Sequence, residues 1–394
     1  MKPSPNKNTS VFLDGDLSRA ETQRRGEGIG RKERKDRKDW KCVRLGDVLY
    51  NITWCNTLHS SPAAIPVVSQ GDDEQSLITT KYYYQPKQEV ILFGDHTCKV
   101  KLIDSSCYLS GDGIKLLAPL SGKCNVRFVY HLACFLAQKI PQGYARHLAS
   151  FKELYCYVPP YEEQYEIASA LCSFDALIAA LQSLISKYEA IKKATVKLLL
   201  KPRESCATVK LGDVADIFRG GSPRPIQDYI TEDVNGINWI KIGDVATNAK
   251  FIEHTEERIK PSGVAMSRQV KAGDFLLSNS MSFGRPYILK IDGCIHDGWL
   301  AIQNYETTFD VDYLYYLLGS EFVFAQYLEN AAGSSVKNLN KEIVSNIILP
   351  LIPLNEQRKI AVQISAIDNV LNDCRAQLAK AQSLKQGMMS YFFG

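Results

Sequence analysis

The stretch from Pro160 to Leu200 recurs as Pro353 to Phe393, and this repeat limits the possible folds more than any other feature of the chain. In the first copy Ile167, Leu171, Phe174, Ile178, Leu181, Ile185 and Tyr188 step by four and three. In the second, Ile360, Ile364, Ile367, Leu371, Cys374, Leu378 and Ala381 do the same. Each pair lies 193 residues apart, as do Gln164 and Gln357, Ala168 and Ala361, Asp175 and Asp368, and Lys192 and Lys385. An apolar step averaging 3.5 residues is the seam of a coiled coil. Two copies in one chain can supply both partners.

The ends of the repeated helix have physical causes. Pro159-Pro160 fixes φ and lacks N–H donors that a first helical turn can spare. Glu162, Glu163 and Glu166 set negative charge at the positive end of the helix dipole, and Pro202 stops the helix. At ~1.5 Å per residue such a helix is a rod of roughly 60 Å, which reads as a spacer.

The remainder is duplicated more loosely. Val43-Arg44-Leu45-Gly46-Asp47-Val48 returns as Val209-Lys210-Leu211-Gly212-Asp213-Val214, a short strand running into a turn. Strands are predicted at 89–93 and 274–277, and helices at 128–139 and 313–328. Small-polar loops follow at 142–148 and 333–339, and then the long helix. The expected architecture is α+β: a tail at 1–39, domains at 40–158 and 205–352, and spacer helices at 159–202 and 353–394. It is a tandem duplication with a uniform helical frame and diverged globular parts.

Charge has to be divided before it means anything. The net +4 of the 394 residues resides entirely in residues 1–40; residues 41–158 carry +3 and residues 205–352 carry −5. The tail, with Arg24-Arg25 and the run from Arg31 to Lys38, has almost nothing apolar to bury and is expected to be a solvated, disordered arm. A chain that bound nucleic acid through bulk charge would be more basic, so any such site must be a local patch or be completed by a partner. The 11 cysteines are scattered without a C-x-x-C, which points to reduced thiols in a cytoplasmic protein. No apolar run approaches ~18 residues, and the first residues do not read as a secretory signal, so no membrane span is expected.

Motifs that could carry catalysis fail on inspection. Tyr157-Val158-Pro159-Pro160-Tyr161 resembles the Asn/Asp-Pro-Pro-Tyr motif of amino methyltransferases, but Val158 cannot accept a hydrogen bond from the amine. The Gly26–Gly30 cluster has no strand before it and no helix after, as a cofactor loop requires. Glu33-Arg34-Lys35 has nuclease-like spacing without a strand to hold it. His131 and Cys134 share a helical face, an arrangement more often packing than metal binding. No P-loop is present, and no metal ligand set or catalytic constellation emerges.

The loops are better candidates. Phe218-Arg219-Gly220-Gly221-Ser222-Pro223-Arg224 joins flexible glycines to two guanidinium groups and a hydroxyl, suited to backbone and phosphate contacts. Asn279, Ser282 and Arg285 offer amide, hydroxyl and guanidinium groups able to read base edges, and Lys337-Asn338 follows in the next loop. The first half contributes Lys99, Lys101, Arg146 and His147. Each of these stretches, taken alone, also reads as an ordinary solvated turn.

Lined up, these pieces resemble the specificity subunit of type I restriction–modification systems. The resemblance is carried by Val-x-Leu-Gly-Asp-Val at 43–48 and 209–214, Phe-Arg-Gly-Gly-Ser-Pro at 218–223, the 144–148 and 335–339 segments, and Pro-Pro-Tyr-Glu-Glu-Gln and Pro-Leu-Asn-Glu-Gln at the helix starts. It covers residues 40–394. Near Tyr50–Leu58 the first domain lacks the Gly-Ser/Thr-Pro loop, so the role of the 218–224 loop does not transfer there. The resemblance implies two target recognition domains, each reading half of a bipartite double-stranded DNA target, with the helices paired as an antiparallel coiled coil. It implies a chain without catalysis or cofactor, docking two methyltransferase subunits that use S-adenosylmethionine and two restriction/translocase subunits that use ATP and Mg²⁺. A self-contained adenine methyltransferase and a structural coiled-coil adaptor are the competing readings.

Overall fold

The structure, a computed structural model, describes residues 39–53, 66–71, 81–141, 143, 145–202, 206–245, 249–279, 283–331 and 339–394. The basic tail therefore lies outside the described residues, as do Ser282, Lys337 and Asn338. The chain divides into two compact units, Met1–Ala179 with Lys380–Gly394, and Ala180–Ala379. The division cuts through both long helices, so each unit owns part of each.

The first unit begins with β1 (Lys41–Arg44), a short helix α1 (Leu45–Val48) and β2 (Leu49–Asn51). Strands β3 (Val67–Ser69), β4 (Lys81–Tyr84), β5 (Val90–Gly94), β6 (Val100–Ile103), β7 (Cys107–Ser110) and β8 (Ile114–Pro119) follow. Then come α2 (Val126–Ala137), α3 (Leu148–Lys152), β9 (Tyr155–Val158) and the long helix α4 (Tyr161–Leu199). Among the described residues the sheets run β2-β8-β5-β6, β3-β7-β4 and β1-β9. Strand β5 is buried throughout because its alternate side chains feed two cores. Ile91 and Phe93 join the core beneath α2, while Val90 and Leu92 join a smaller one with Ile103, Leu109 and Leu116.

The second unit repeats this plan after β10 (Thr208–Lys210) and α5 (Leu211–Val214). Its strands are β11 (Asp216–Arg219), β12 (Ile230–Thr231), β13 (Ile237–Ile240), β14 (Phe251–Ile252), β15 (Glu257–Ile259), β16 (Arg268–Val270), β17 (Phe275–Ser278), β18 (Pro286–Leu289), β19 (Gly293–Ile295) and β20 (Trp299–Gln303). Helices α6 (Val311–Leu318), α7 (Glu321–Ala331) and α8 (Lys341–Ser345), strand β21 (Ile348–Pro350) and helix α9 (Leu354–Phe393) complete it. Here the sheets run β11-β20-β17-β18-β14, β12-β15-β13-β19-β16 and β10-β21. Strand β17 plays the part of β5: Phe275 and Leu277 enter one core, Leu276 another. The single helix predicted over 313–328 is two helices. Ser320 breaks it, its hydroxyl donating to Leu317 O at 2.6 Å and accepting from Val323 N–H at 3.3 Å, which caps α7.

The repeated sequence motifs now have causes. Val-x-Leu-Gly-Asp-Val places β1 antiparallel to β9, and β10 antiparallel to β21, so the strand that opens each domain pairs with the one that precedes its long helix. A Cβ on Gly46 would sit 3.0 Å from Lys152 O, and one on Gly212 2.7 Å from Ser345 Cβ, so both glycines let a short helix lie close. Gln164 and Gln357 are buried at the start of α4 and α9. Gln164 Oε1 accepts the N–H of Asn125, the N-cap of α2, at 2.8 Å; Gln357 Oε1 accepts that of Asp310, the N-cap of α6, at 2.8 Å. Each amide also donates to the proline-flanked strand end before its helix: Nε2 of Gln164 to Pro159 O (2.9 Å), Nε2 of Gln357 to Ile352 O (2.8 Å).

The seam follows the heptads. Ile167, Leu171 and Leu181 of α4 and Ile364, Leu371, Cys374 and Ala381 of α9 are buried. Phe174, Ile178, Ile185, Ile360, Ile367 and Leu378 are half-buried, whereas the off-seam Leu177, Leu184 and Val362 are exposed. In the first unit Ile167 and Leu171 share a core with Met389 and Phe393, and Lys385 pairs with Asp175. In the second, Glu189 meets Arg375 at 2.7 Å and Lys192 meets Asp368 at 2.6 Å. Within each unit, then, α4 and α9 run antiparallel. By length and mean hydropathy (1.6 over its most apolar 18-residue window) α4 also passes as a membrane-crossing helix. Its seam-facing apolar side chains are buried or half-buried, whereas Leu177, Leu184, Ile191 and Leu198 are exposed.

A buried polar cluster accompanies the seam in each unit. In the first, His131 is fully buried, its Nε2 3.6 Å from Cys172 Sγ and 3.7 Å from Asp175 Oδ2. Burial drives its pKa down to about 4, against a smaller upward pull from Asp175. The second unit has Tyr316 there, its hydroxyl donating to Asp368 Oδ2 at 2.7 Å and lying 3.1 Å from Ser365 Oγ.

Candidate nucleic-acid interface

In the second unit β11 ends on Arg219, and the glycines after it are pressed onto the β19–β20 turn. Gly220 N–H donates to Trp299 O at 2.9 Å and Gly221 N–H to Ile295 O at 3.2 Å. A Cβ on Gly220 would lie 2.1 Å from His296 O, a clash with main chain that no rotamer relieves. Gly220 is thus the residue that permits the close approach; Gly221 is less constrained, its nearest neighbour being Met266 O at 3.2 Å.

The turn beneath, His296-Asp297-Gly298, is the centre on which the candidate loops converge. Asp297 Oδ1 accepts the Ser222 hydroxyl at 3.0 Å and lies 2.9 Å from His296 Nε2. Arg224, 84% exposed in its side chain, reaches Oδ2 at 3.8 Å. The main-chain carbonyl of Asp297 accepts from Arg219 Nε at 3.4 Å and from Asn279 Nδ2 at 3.2 Å. Asn279 also donates its N–H to Gly298 O at 3.1 Å, and its carbonyl accepts Leu339 N–H at 3.0 Å. The segments at 219–224 and 279, far apart in sequence, therefore meet at one turn, and Leu339 is tied to it through Asn279.

Two further cations complete the patch. The Arg268 guanidinium lies 4.4 Å from the Phe218 ring centroid and Lys341 Nζ 5.6 Å from it, so the ring that opens the loop is flanked by positive charge. Arg219, Arg224, Arg268 and Lys341 are all exposed. In a domain of net charge −5, these four exposed cations are gathered about one ring and one turn.

Not every predicted residue serves as expected. Asn279 is buried, and its amide is spent on Asp297 O, so it ties loops together and does not face outward. Arg285 turns to a groove of about 820 Å³ that it lines with Lys192, Lys197, Phe283, Tyr315 and Phe324, its guanidinium 5.8 Å from the Tyr287 ring centroid. His296, Asp297, Arg268 and Lys341 were missed. Their sequence signal is slight: a His-Asp-Gly turn after an apolar strand, and single cations at a strand start and a helix start.

In the first unit the corresponding strand end is also a hub. Asp95 O accepts His147 N–H at 2.9 Å, and Asp95 Oδ1 accepts Leu148 N–H at 2.8 Å. His147 is buried with Nε2 3.2 Å from Gly143 O, so its ring holds the loop and is not offered to solvent. Lys101 is half-buried and donates to Gly71 O at 2.6 Å. Lys99 and Arg146 are the exposed cations of the predicted set. His96 stands nearby, its Nδ1 3.4 Å from Ala145 O. Val158, at the position that would have to be polar for amino methylation, pairs with Lys41 at the end of β9 and is buried.

Comparison with known proteins gives the family and the fold. Residues 37–190 and 204–381 each match the family described as type I restriction modification DNA specificity domain. The provisionally named MjaX specificity subunit of a type I restriction enzyme from Methanocaldococcus jannaschii is 24% identical over 398 residues, spanning 89% of this chain and 92% of its own length. The type I restriction enzyme EcoR124I/EcoR124II specificity subunit from Escherichia coli is 21% identical over 327 residues, spanning 79% and 80%. Among solved structures, the S subunit of a type I restriction–modification system from M. genitalium has the same fold. Its TM-score is 0.64 at 15% identity, covering 90% of this chain and 96% of that one.

Proposed function

This chain belongs to the type I restriction modification DNA specificity family, and from that premise we propose that each unit reads one half of a bipartite duplex target while partner subunits perform the chemistry. The chain is a specificity subunit and its function is DNA sequence recognition. The finer statements rest on one observation above all: the convergence of Arg219, Ser222 and Arg224 with Arg268 and Lys341 about the His296-Asp297-Gly298 turn. Cations there hold phosphates, and the turn and loop tips face base edges.

In the first unit Lys99 and Arg146 take the phosphate role. The paired helices serve as the spacer between the half-sites. Two methyltransferase subunits carrying S-adenosylmethionine and two restriction/translocase subunits using ATP and Mg²⁺ complete the assembly, in the cytoplasm. This chain binds none of those cofactors itself. Buried Val158 argues against the self-contained methyltransferase, and the basic patch argues against a purely structural adaptor.

The test is a footprint on duplex DNA of the chain assembled with its methyltransferase subunit. Two protected half-sites separated by an unread spacer are expected. A single contiguous footprint, or methyl transfer by the purified chain with S-adenosylmethionine alone, overturns the reading.

A further inference from the structure

The basic patch of the second unit has an anion at its centre. A carboxylate facing DNA is repelled by the phosphates, so Asp297 opposes the association that the surrounding cations favour. Little of the loop tether needs that charge: the Ser222 hydroxyl bonds to Oδ1, a tie that an amide oxygen would also accept. Arg219 and Asn279 both bond to the main-chain carbonyl of Asp297, which any residue supplies. The carboxylate, meanwhile, is 36% exposed, neither withdrawn into the protein nor saturated. Oδ1 is occupied by Ser222 and His296. Among the described residues Oδ2 has only Arg224, at 3.8 Å, beyond hydrogen-bond length. A carboxylate oxygen with unused lone pairs is an acceptor in search of a donor.

In the major groove that donor is the exocyclic amine of cytosine or adenine; guanine and thymine present acceptors there and are repelled. We propose that Asp297 is a base-reading residue, its Oδ2 accepting a hydrogen bond from cytosine N4 or adenine N6 while Arg224 turns to an adjacent phosphate. On this assignment the cost of the negative charge is converted into rejection of the wrong base. The proposal rests on the reading of the 219–224 loop as part of the DNA interface.

The experiment is selection from a duplex library randomised across the target, using the chain assembled with its methyltransferase subunit. Wild type is expected to prefer an amine-bearing base at one position by about tenfold or more. Asp297→Asn is expected to reduce that preference to within about twofold, leave the other positions unchanged, and bind non-specific duplex at least as tightly, because repulsion is removed. Glu253→Gln, which removes an exposed carboxylate after β14, at the opposite edge of the sheet from β11, is expected to keep the wild-type preference. An unchanged preference in Asp297→Asn overturns the proposal, as does a uniform loss at all positions, or the same relaxation in Glu253→Gln. If Asp297→Asn does not fold, Asp297→Ala is read by the same criteria. Failure of the interface reading itself has a different signature: Arg219→Ala and Arg224→Ala would leave wild-type affinity intact.

Discussion

Lys192 Nζ lies 2.6 Å from Asp368 Oδ1, and the residues 193 positions removed from each, Lys385 and Asp175, form the same pair with the roles of the helices exchanged. An antiparallel pair of these repeats brings both pairs together only in one register. Sliding one helix by a heptad keeps apolar against apolar but sets these lysines and aspartates against other neighbours. The ion pairs therefore select among registers that the seam alone leaves nearly equivalent.

The pairs are partly exposed, so their net contribution is modest. Lys192→Glu, which sets like charges together, is expected to destabilise the second unit by about 1–2 kcal/mol. The exchange Lys192→Glu with Asp368→Lys is expected to recover most of that loss. Thermal unfolding of the four members of the cycle measures the coupling, and strict additivity would show the pair to be energetically idle.

Gln357 is fully buried, and truncation leaves the Asp310 N–H and two carbonyls without partners. Gln357→Leu is expected to cost about 2–4 kcal/mol, well beyond a surface substitution, and Gln164→Leu a similar amount in the first unit. Denaturant unfolding with hydrogen exchange at the starts of α6 and α2 localises the effect. An unchanged exchange rate at these N-caps would show that another group satisfies them.

These glutamines mark how far the sequence could be read. Their fixed offset was visible, and so were the seam, the strand pair made from the Val-x-Leu-Gly-Asp-Val motif, and the strands around β5 and β17, because each depends on local periodicity. That Gln164 clasps the cap of α2 was not visible, since Asn125 is 39 residues away and diverged to Asp310 in the second copy. The candidate interface was legible only in part for the same reason. Arg219 and Arg224 announced themselves through the glycines beside them, whereas Asp297 comes beneath that loop only because β19 and β20 deliver it there. Asn279 and His147 looked outward-facing by composition, but their polar groups are used in tying loops.

His131 makes the first unit sensitive to acid. Its pKa is lowered to about 4 from an ordinary value of 6.5, chiefly by burial. Between those values the unfolded chain binds a proton that the folded chain refuses, so stability is lost as pH falls through this window. The loss is up to about 3 kcal/mol for a single proton. His131→Leu is expected to flatten the dependence of the first unit's unfolding free energy on pH between 6.5 and 4. A slope as steep as wild type would assign the acid sensitivity to other groups.

Gly220→Ala tests the close approach of the loop to the β19–β20 turn. With His296 O 2.1 Å from the new methyl group, the main chain has to move and the straps from Gly220 and Gly221 lengthen. Specific DNA affinity is expected to fall at least about tenfold while the unit stays folded, since the loop lies outside its hydrophobic cores. Circular dichroism together with a binding titration distinguishes this from global unfolding. Gly221→Ala is expected to be milder, its methyl group meeting Met266 O at 3.2 Å.

The cations around Phe218 differ from Asp297 in what their loss should do. Arg219, Arg224 and Arg268 are exposed and surround a loop whose main chain is already fixed, so their removal leaves the fold alone. If each contacts a phosphate, its alanine variant weakens binding to every duplex by a similar factor and preserves the ranking of sequences. Each also lowers the dependence of log affinity on log salt by about one, the signature of one fewer counterion released. Binding titrations over a range of salt concentrations, on target and scrambled duplexes, measure both quantities. A variant that changed sequence ranking with an unchanged salt slope would move that arginine from the phosphate backbone to a base edge.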